Sequence, residues 1–153
     1  MAIPPEAKRR LEEEPRVAHF GTCADGRPHV APVWFRYAGH EEEKEVDGDE
    51  IEGHDGDSEK RNSTDDRLEI VTTGRKLENV RDNPRVALSI QADEGGEPRW
   101  ALTLLGTATV VDDEERSAAA RRRIHERYDA DPDAYEENVL VRIEIGTANY
   151  RTY

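Results

Sequence analysis

The sequence is poor in the residues that staple a fold or fill a core. It has one cysteine, Cys23, so no disulfide can form within the chain, and a reducing interior is compatible with it. Leucine, isoleucine, valine and phenylalanine together number 28 of 153 residues, and the formal net charge is −13. As whole-chain averages these values fall in the range of chains that do not fold. No apolar run approaches the roughly 18 residues of a membrane span, and residues 1–15 lack the apolar stretch of a signal peptide. A cytoplasmic protein without a membrane partner is therefore expected. With 35 acids the chain would repel a nucleic-acid backbone, which removes that partner as well. Lysine is scarce: Lys8, Lys44, Lys60 and Lys76 stand against 18 arginines. Excess acid with so little lysine suggests adaptation to high salt, where screening weakens the mutual repulsion of carboxylates.

The charge is not evenly spread. Residues 40–67 hold 13 acids and 4 bases, a net −9, with only Val46 and Ile51 as sizeable aliphatics. The remainder carries −4 and 26 of the 28 core-forming residues. The length favours one domain spanning 1–153, and 40–67 reads as an acidic loop inserted between its second and third strands. An EF-hand register in this loop fails at Ile51 when started from Asp47 and at Lys60 when started from Asp55, so calcium is not expected.

Elsewhere the periodicity is that of strands. Pro4-Pro5 and Glu6 to Glu14 suit an opening helix stopped at Pro15. Arg16 to Cys23 and His29 to Tyr37 form a hairpin about Asp25-Gly26. Leu68 to Thr73, Arg85 to Gln91, Trp100 to Val111 and Val139 to Ile145 alternate apolar with polar residues, with Gly106 at a bend or bulge. Helices are expected at Gly74 to Asn83, with Leu77, Val80 and Arg81 inward, at Glu114 to Tyr128, and from near Pro132. In the second, Ala120, Ile124 and Tyr128 form one stripe while Arg121, Arg122, Arg123 and Arg127 face water. Six strands with few helices indicate a mainly β protein, a small antiparallel barrel.

Two stretches could carry chemistry. In Thr72-Thr73-Gly74-Arg75-Lys76 a strand meets a helix N-terminus: unpaired backbone N–H groups, two hydroxyls and two cations suit an anion such as phosphate. The alternative is an ordinary capped helix whose bases offset nearby carboxylates. In His29 to Phe35, Pro32 cannot donate to a ladder and Trp34 offers a large flat surface, either to a ligand or to the core. His19, His29, His40, His54 and His125 show no metal-ligand spacing, and no nucleophile, P-loop or dinucleotide motif is present. Redox or group-transfer chemistry would need a bound organic cofactor.

The succession VAHFGTCADGRPHVAPVWFRY, LEIVTTGRKLENVRDNPRVALSI and WALTLLGTATVV resembles the pyridoxamine 5'-phosphate oxidase-like, FMN-binding split-barrel family, the most specific part being KLENVRDNP followed by RVALSI. The resemblance implies a six-stranded antiparallel split barrel, usually a homodimer with two flavin sites at the subunit interface. It implies that Arg75 and Lys76 hold the cofactor phosphate beside Thr72 and Thr73, that Pro32, Val33 and Trp34 run along the flavin ring, and that Gln91 and Trp100 face the site from the partner subunit. It implies an FMN-dependent oxidoreductase acting on a small molecule, with no catalytic residue assigned. The family also contains deazaflavin-coenzyme reductases, for whose acidic tail Arg27, Arg36 and Arg99 are candidate partners, and non-enzymatic flavin or haem binders. The C-terminal Arg and Trp pattern of true pyridoxamine phosphate oxidases is absent.

Overall fold

In the computed structural model the described residues are 2–39 and 66–153. The elements are α1 (Pro5–Glu13), β1 (Ala18–Ala24), β2 (Arg27–Val33), β3 (Arg36–Tyr37), β4 (Arg67–Thr72), α2 (Gly74–Asp82), β5 (Arg85–Glu94), β6 (Glu97–Val111), α3 (Glu114–Arg127) and β7 (Val139–Thr152). The acidic segment and the excluded calcium registers lie outside the described residues, except that Asp66 and Arg67 belong to the barrel. Among the described residues no helix is long and apolar enough to cross a membrane.

All pairings are antiparallel, in the order β2-β1-β5-β6-β7-β4-β3. The two ends of that order, β2 and β3, are joined by only Trp34 and Phe35. Three Cα steps span at most about 11 Å, so the sheet must curl until its edges nearly meet. The result is a barrel open along one seam. Phe20, Leu68, Ile70, Leu88, Ile90, Leu102, Leu104 and Ile143 fill its interior, and Ile3, Ala7 and Leu11 of the N-terminal segment join that core.

The structure differs from the expected elements at two places. His29 to Tyr37 is not one strand, because the chain leaves β2 at Trp34 to cross to the other end of the sheet, and the count rises from six strands to seven. The helix expected near Pro132 is also absent. Residues 131–138 form turns, with Ala134 N–H donating to the Asp131 carbonyl at 3.1 Å and Asn138 N–H to Tyr135 at 3.0 Å. Asp129, at φ 58°, takes the left-handed conformation just past the end of α3, and Tyr135, at φ 56°, takes it within the turns.

Arginines expected in water do structural work instead. Buried Arg121 donates to the Asn138 carbonyl at 2.7 Å and pairs with Glu114 at 2.9 Å. Half-buried Arg127 donates to the Leu11 and Glu14 carbonyls, capping the end of α1. Arg81, expected on the inner side of α2, is exposed and grips both Asp112 oxygens at 3.0 and 3.1 Å, holding that carboxyl below its ordinary pKa. The seam itself is held by Tyr128, whose hydroxyl accepts from Phe35 N–H at 3.2 Å and donates to the Arg16 carbonyl at 2.6 Å.

Gly106 lies where the β6–β7 register shifts, Leu105 facing Thr147 and Gly106 facing Ile145, which leaves Gly146 as the bulged residue. A Cβ on Gly106 would stand 2.5 Å from the Glu144 carbonyl oxygen. Gly106→Ala should therefore cost about 1–3 kcal/mol, measured by denaturant unfolding. Tyr128→Phe leaves the Phe35 N–H and Arg16 carbonyl without their partner and should cost a further about 1–3 kcal/mol by the same measurement. Wild-type stability in either variant would mean that the contact it removes does not hold the barrel.

Candidate functional site

Where the seam opens, a cavity of 330 Å³ is lined by Val17, Pro32, Val33, Trp34, Val71, Thr72, Thr73, Lys76, His125, Tyr135 and Asn138. Each wall follows from the closure just described. Pro32 to Trp34 are the last residues before the seam crossing, and Val71 to Thr73 end β4. The β4–β7 register sets Thr72 opposite Val139, which brings the turn ending at Asn138 alongside. Arg121 holds that turn through the Asn138 carbonyl. α3 is fastened to β7 by the Ser117 hydroxyl, which accepts from Leu140 N–H at 3.0 Å, and so brings His125 to the wall.

Lys76 is positioned by the anchoring of α2. The buried Asn79 amide donates to Thr22 Oγ1 at 3.0 Å on β1, and Arg81 ties the other end to Asp112. Thr73 is the N-cap residue of α2, yet its side chain makes no capping hydrogen bond. The first-turn N–H groups thus have no side-chain cap, and Gly74, at φ 71°, leaves open space where a side chain would be. The Thr73 hydroxyl, the Lys76 ammonium and the N-terminus of α2 share this wall, the Thr72 hydroxyl donates to the Thr73 carbonyl at 3.4 Å, and among the described residues that line the cavity none is an Asp or Glu. In a chain with 35 acids and 22 lysines and arginines, a lining whose described residues hold a lysine and no carboxylate is a marked local departure.

The same lining also carries aromatic rings. Trp34 is half-buried and stacks on Tyr128, with ring centres 4.8 Å apart and planes 12° from parallel. Its other neighbour is His125, edge-on at 6.0 Å, and His125 in turn meets Tyr135 at 5.9 Å. Phe35, by contrast, turns into the core.

Of the nine residues singled out from the sequence, the cavity gathers six: Pro32, Val33, Trp34, Thr72, Thr73 and Lys76. Arg75 is exposed and does not line it. Gln91 stands exposed on β5. Trp100 is 2% exposed and belongs to its own chain's core, under the guanidinium groups of Arg16 at 5.4 Å and Arg10 at 5.9 Å. Sequence reasoning missed His125 and Tyr135. His125 lies one position from Ile124 in the helical stripe, a small offset that periodicity does not resolve, and Tyr135 lies in the turn misread as a helix. Of the bases considered for an acidic tail, Arg27 is exposed, Arg99 pairs with Glu94, and Arg36 meets the buried Glu69 at 3.4 Å. Among the described residues no group of three or more His, Cys, Asp or Glu side chains is placed to hold a metal.

The sequence pattern of the family described as pyridoxamine 5'-phosphate oxidase matches residues 3–151. Among solved structures, an F420 reductase is 23% identical, with TM-score 0.64, and the match covers 95% of this chain and 98% of that one. A FAD-binding protein from Mesorhizobium loti is 19% identical, with TM-score 0.63 over 97% of this chain and 92% of that one. The haem storage protein from Vibrio cholerae is 19% identical, with TM-score 0.61 over 99% and 95%. At these identities the likeness is one of fold. No curated protein matches the sequence significantly.

Proposed function

The chain belongs to the pyridoxamine 5'-phosphate oxidase family, and from that premise we propose that it is a flavin-dependent oxidoreductase holding FMN in the seam cavity and acting on a small molecule. The observation that carries the reading is the donor set: Lys76, Thr72, Thr73 and the uncapped start of α2 line one cavity, and the described residues of that lining include no carboxylate. These residues fit a phosphate, because an ammonium, hydroxyls and helix-end N–H groups all donate to phosphate oxygens. Pro32, Val33 and Trp34 form a wall of apolar surface and one flat ring, which suits a planar ring system. Bound there, FMN would supply the hydride and electron chemistry. The chain's own part is to anchor the phosphate at Lys76 and orient the ring against Trp34.

A second copy of the chain completes this proposal. The outer face of β1, β2, β5, β6 and β7 carries a broad open groove lined by Gly21, Ala87 and Gly146 among others, with Val30 and Leu105 65% and 52% exposed. Contiguous apolar surface of this kind suits a homodimer interface.

A reductase of the deazaflavin coenzyme is the second reading, favoured by one feature. Two residues along β4 from the cavity-lining Val71, buried Glu69 gathers Arg36 and Arg123 at 3.4 Å and Arg142 at 4.0 Å. Such a concentration of guanidinium groups suits a cofactor with an acidic tail.

The visible absorption spectrum of protein purified in high salt separates flavin, deazaflavin and haem. Protein that is colourless and takes up no added FMN would overturn the FMN reading. Lys76→Ala should weaken FMN binding by about 1.5–3 kcal/mol, the range for hydrogen bonds to a charged group, as measured by quenching of flavin fluorescence. Unchanged affinity would place the phosphate elsewhere.

A further inference from the structure

The strand registers sort the outer face of the sheet into rows, because residues directly opposite in an antiparallel pair share a face. One row runs Pro32, His19, Ser89, Thr103 and Asn149 across β2, β1, β5, β6 and β7. The next runs Val30, Gly21, Ala87, Leu105 and Thr147 across the same strands. None of these ten residues is an Asp, Glu, Lys or Arg, in a chain where 37% of residues are. Charge returns at the borders: Arg85 and Glu144 lie beyond the second row, Glu144 pairing with Arg67 at 3.6 Å, and Arg151 lies beyond the first. Two copies of a chain carrying −13 repel one another, and they meet least resistance where both surfaces are neutral. Every copy carries this neutral face with its exposed Val30 and Leu105, so the partner that matches it in charge and in apolar content is a second copy, using the same face through a two-fold axis.

His19 is the titratable side chain in the two rows. It is exposed on β1, opposite Pro32 of β2 and Ser89 of β5, with Gly21 next on its own strand and Val30 and Ala87 on the diagonals, so none of these neighbours is a carboxylate. A second copy brings the same two rows and no carboxylate in them. A neutral imidazole can be covered at little cost, whereas an imidazolium covered without a counter-charge opposes the contact.

We propose that protonation of His19 releases a second copy of the chain from this face, so that the pair forms at neutral pH and separates in mild acid. The inference rests on the homodimer reading above and adds to it the group that sets when the pair forms. Separate chains bind the proton that the pair excludes, so falling pH draws the equilibrium toward them. Because Pro32 belongs both to the first row and to the lining of the seam cavity, the switch sits beside the candidate site.

The test is to measure the dimer dissociation constant by sedimentation equilibrium, at one fixed high salt concentration, for wild type, His19→Gln and His19→Lys. In wild type it should rise about a hundredfold between about pH 7.5 and about pH 5.5, roughly tenfold for each of the two imidazoles. His19→Gln should stay dimeric with a nearly constant dissociation constant, and His19→Lys should give separate chains throughout. Half-buried His29 lines the groove on the same face, so His29→Gln is the control and should keep the wild-type dependence. A wild-type dimer of constant affinity over this range, or a dependence that survives in His19→Gln, overturns the role of His19 and leaves the homodimer reading standing. Wild type that is monomeric throughout overturns both. His19→Asn takes the place of His19→Gln should that variant not fold.

Discussion

A two-residue bridge between the first and last strands of the sheet governs this molecule. β2 and β3 are neighbours in the chain and opposite extremes of the hydrogen-bonded order, so Trp34 and Phe35 force the sheet to close on itself. Closure buries Phe35 and leaves Trp34 at the edge, where it stacks on Tyr128. The Tyr128 hydroxyl then ties the bridge to the start of β1 through Phe35 and Arg16. A closed sheet would have no cavity at this position and an open one would have no walls. A seam gives both, which is why the ends of β2 and β4, the start of α2 and the end of α3 share one concave surface.

Electrostatics act on the same scaffold. The chain is acidic as a whole, and much of that charge lies in one segment. The described residues use arginine to tie elements together through backbone carbonyls and carboxylates: Arg121 to Asn138, Arg127 to the end of α1, Arg81 to Asp112. Lysine has no such role at the cavity. A guanidinium suits planar, bidentate partners, whereas an ammonium is a compact charge that can meet a phosphate from several directions. Lys76 at the uncapped start of α2 is therefore a different use of positive charge from the structural arginines around it.

Much of the fold was legible, for reasons particular residues make plain. The alternation in Leu68-Glu69-Ile70 and in Val86, Leu88 and Ile90 has the period of a half-buried strand, and the Asp25-Gly26 turn leaves few ways to join β1 to β2. Gly106 stood out inside an apolar strand and proved to sit against the Glu144 carbonyl. The errors are equally specific. The break at Trp34 leaves no local signal, because both sides are strand-like and only the closing of the sheet separates them. Arg121 is indistinguishable in sequence from Arg122 and Arg123, yet one position of helical rotation turns it from solvent to a buried partner of Asn138.

By itself the sequence determined most of the elements and the chemical character of the strand-to-helix junction, because periodicity, turn residues and the placing of Lys76 close to Gly74 are local properties. It also carried the family, through short stretches that keep their order along the chain. Which side chains meet was decided by tertiary structure alone. Pro32, Thr72, Lys76 and His125 are spread over more than half the chain and come together only because the barrel closes at a seam. The burial of His125 is likewise a product of packing: its ring lies against Trp34 and Tyr135, contacts between distant residues that no window of sequence contains.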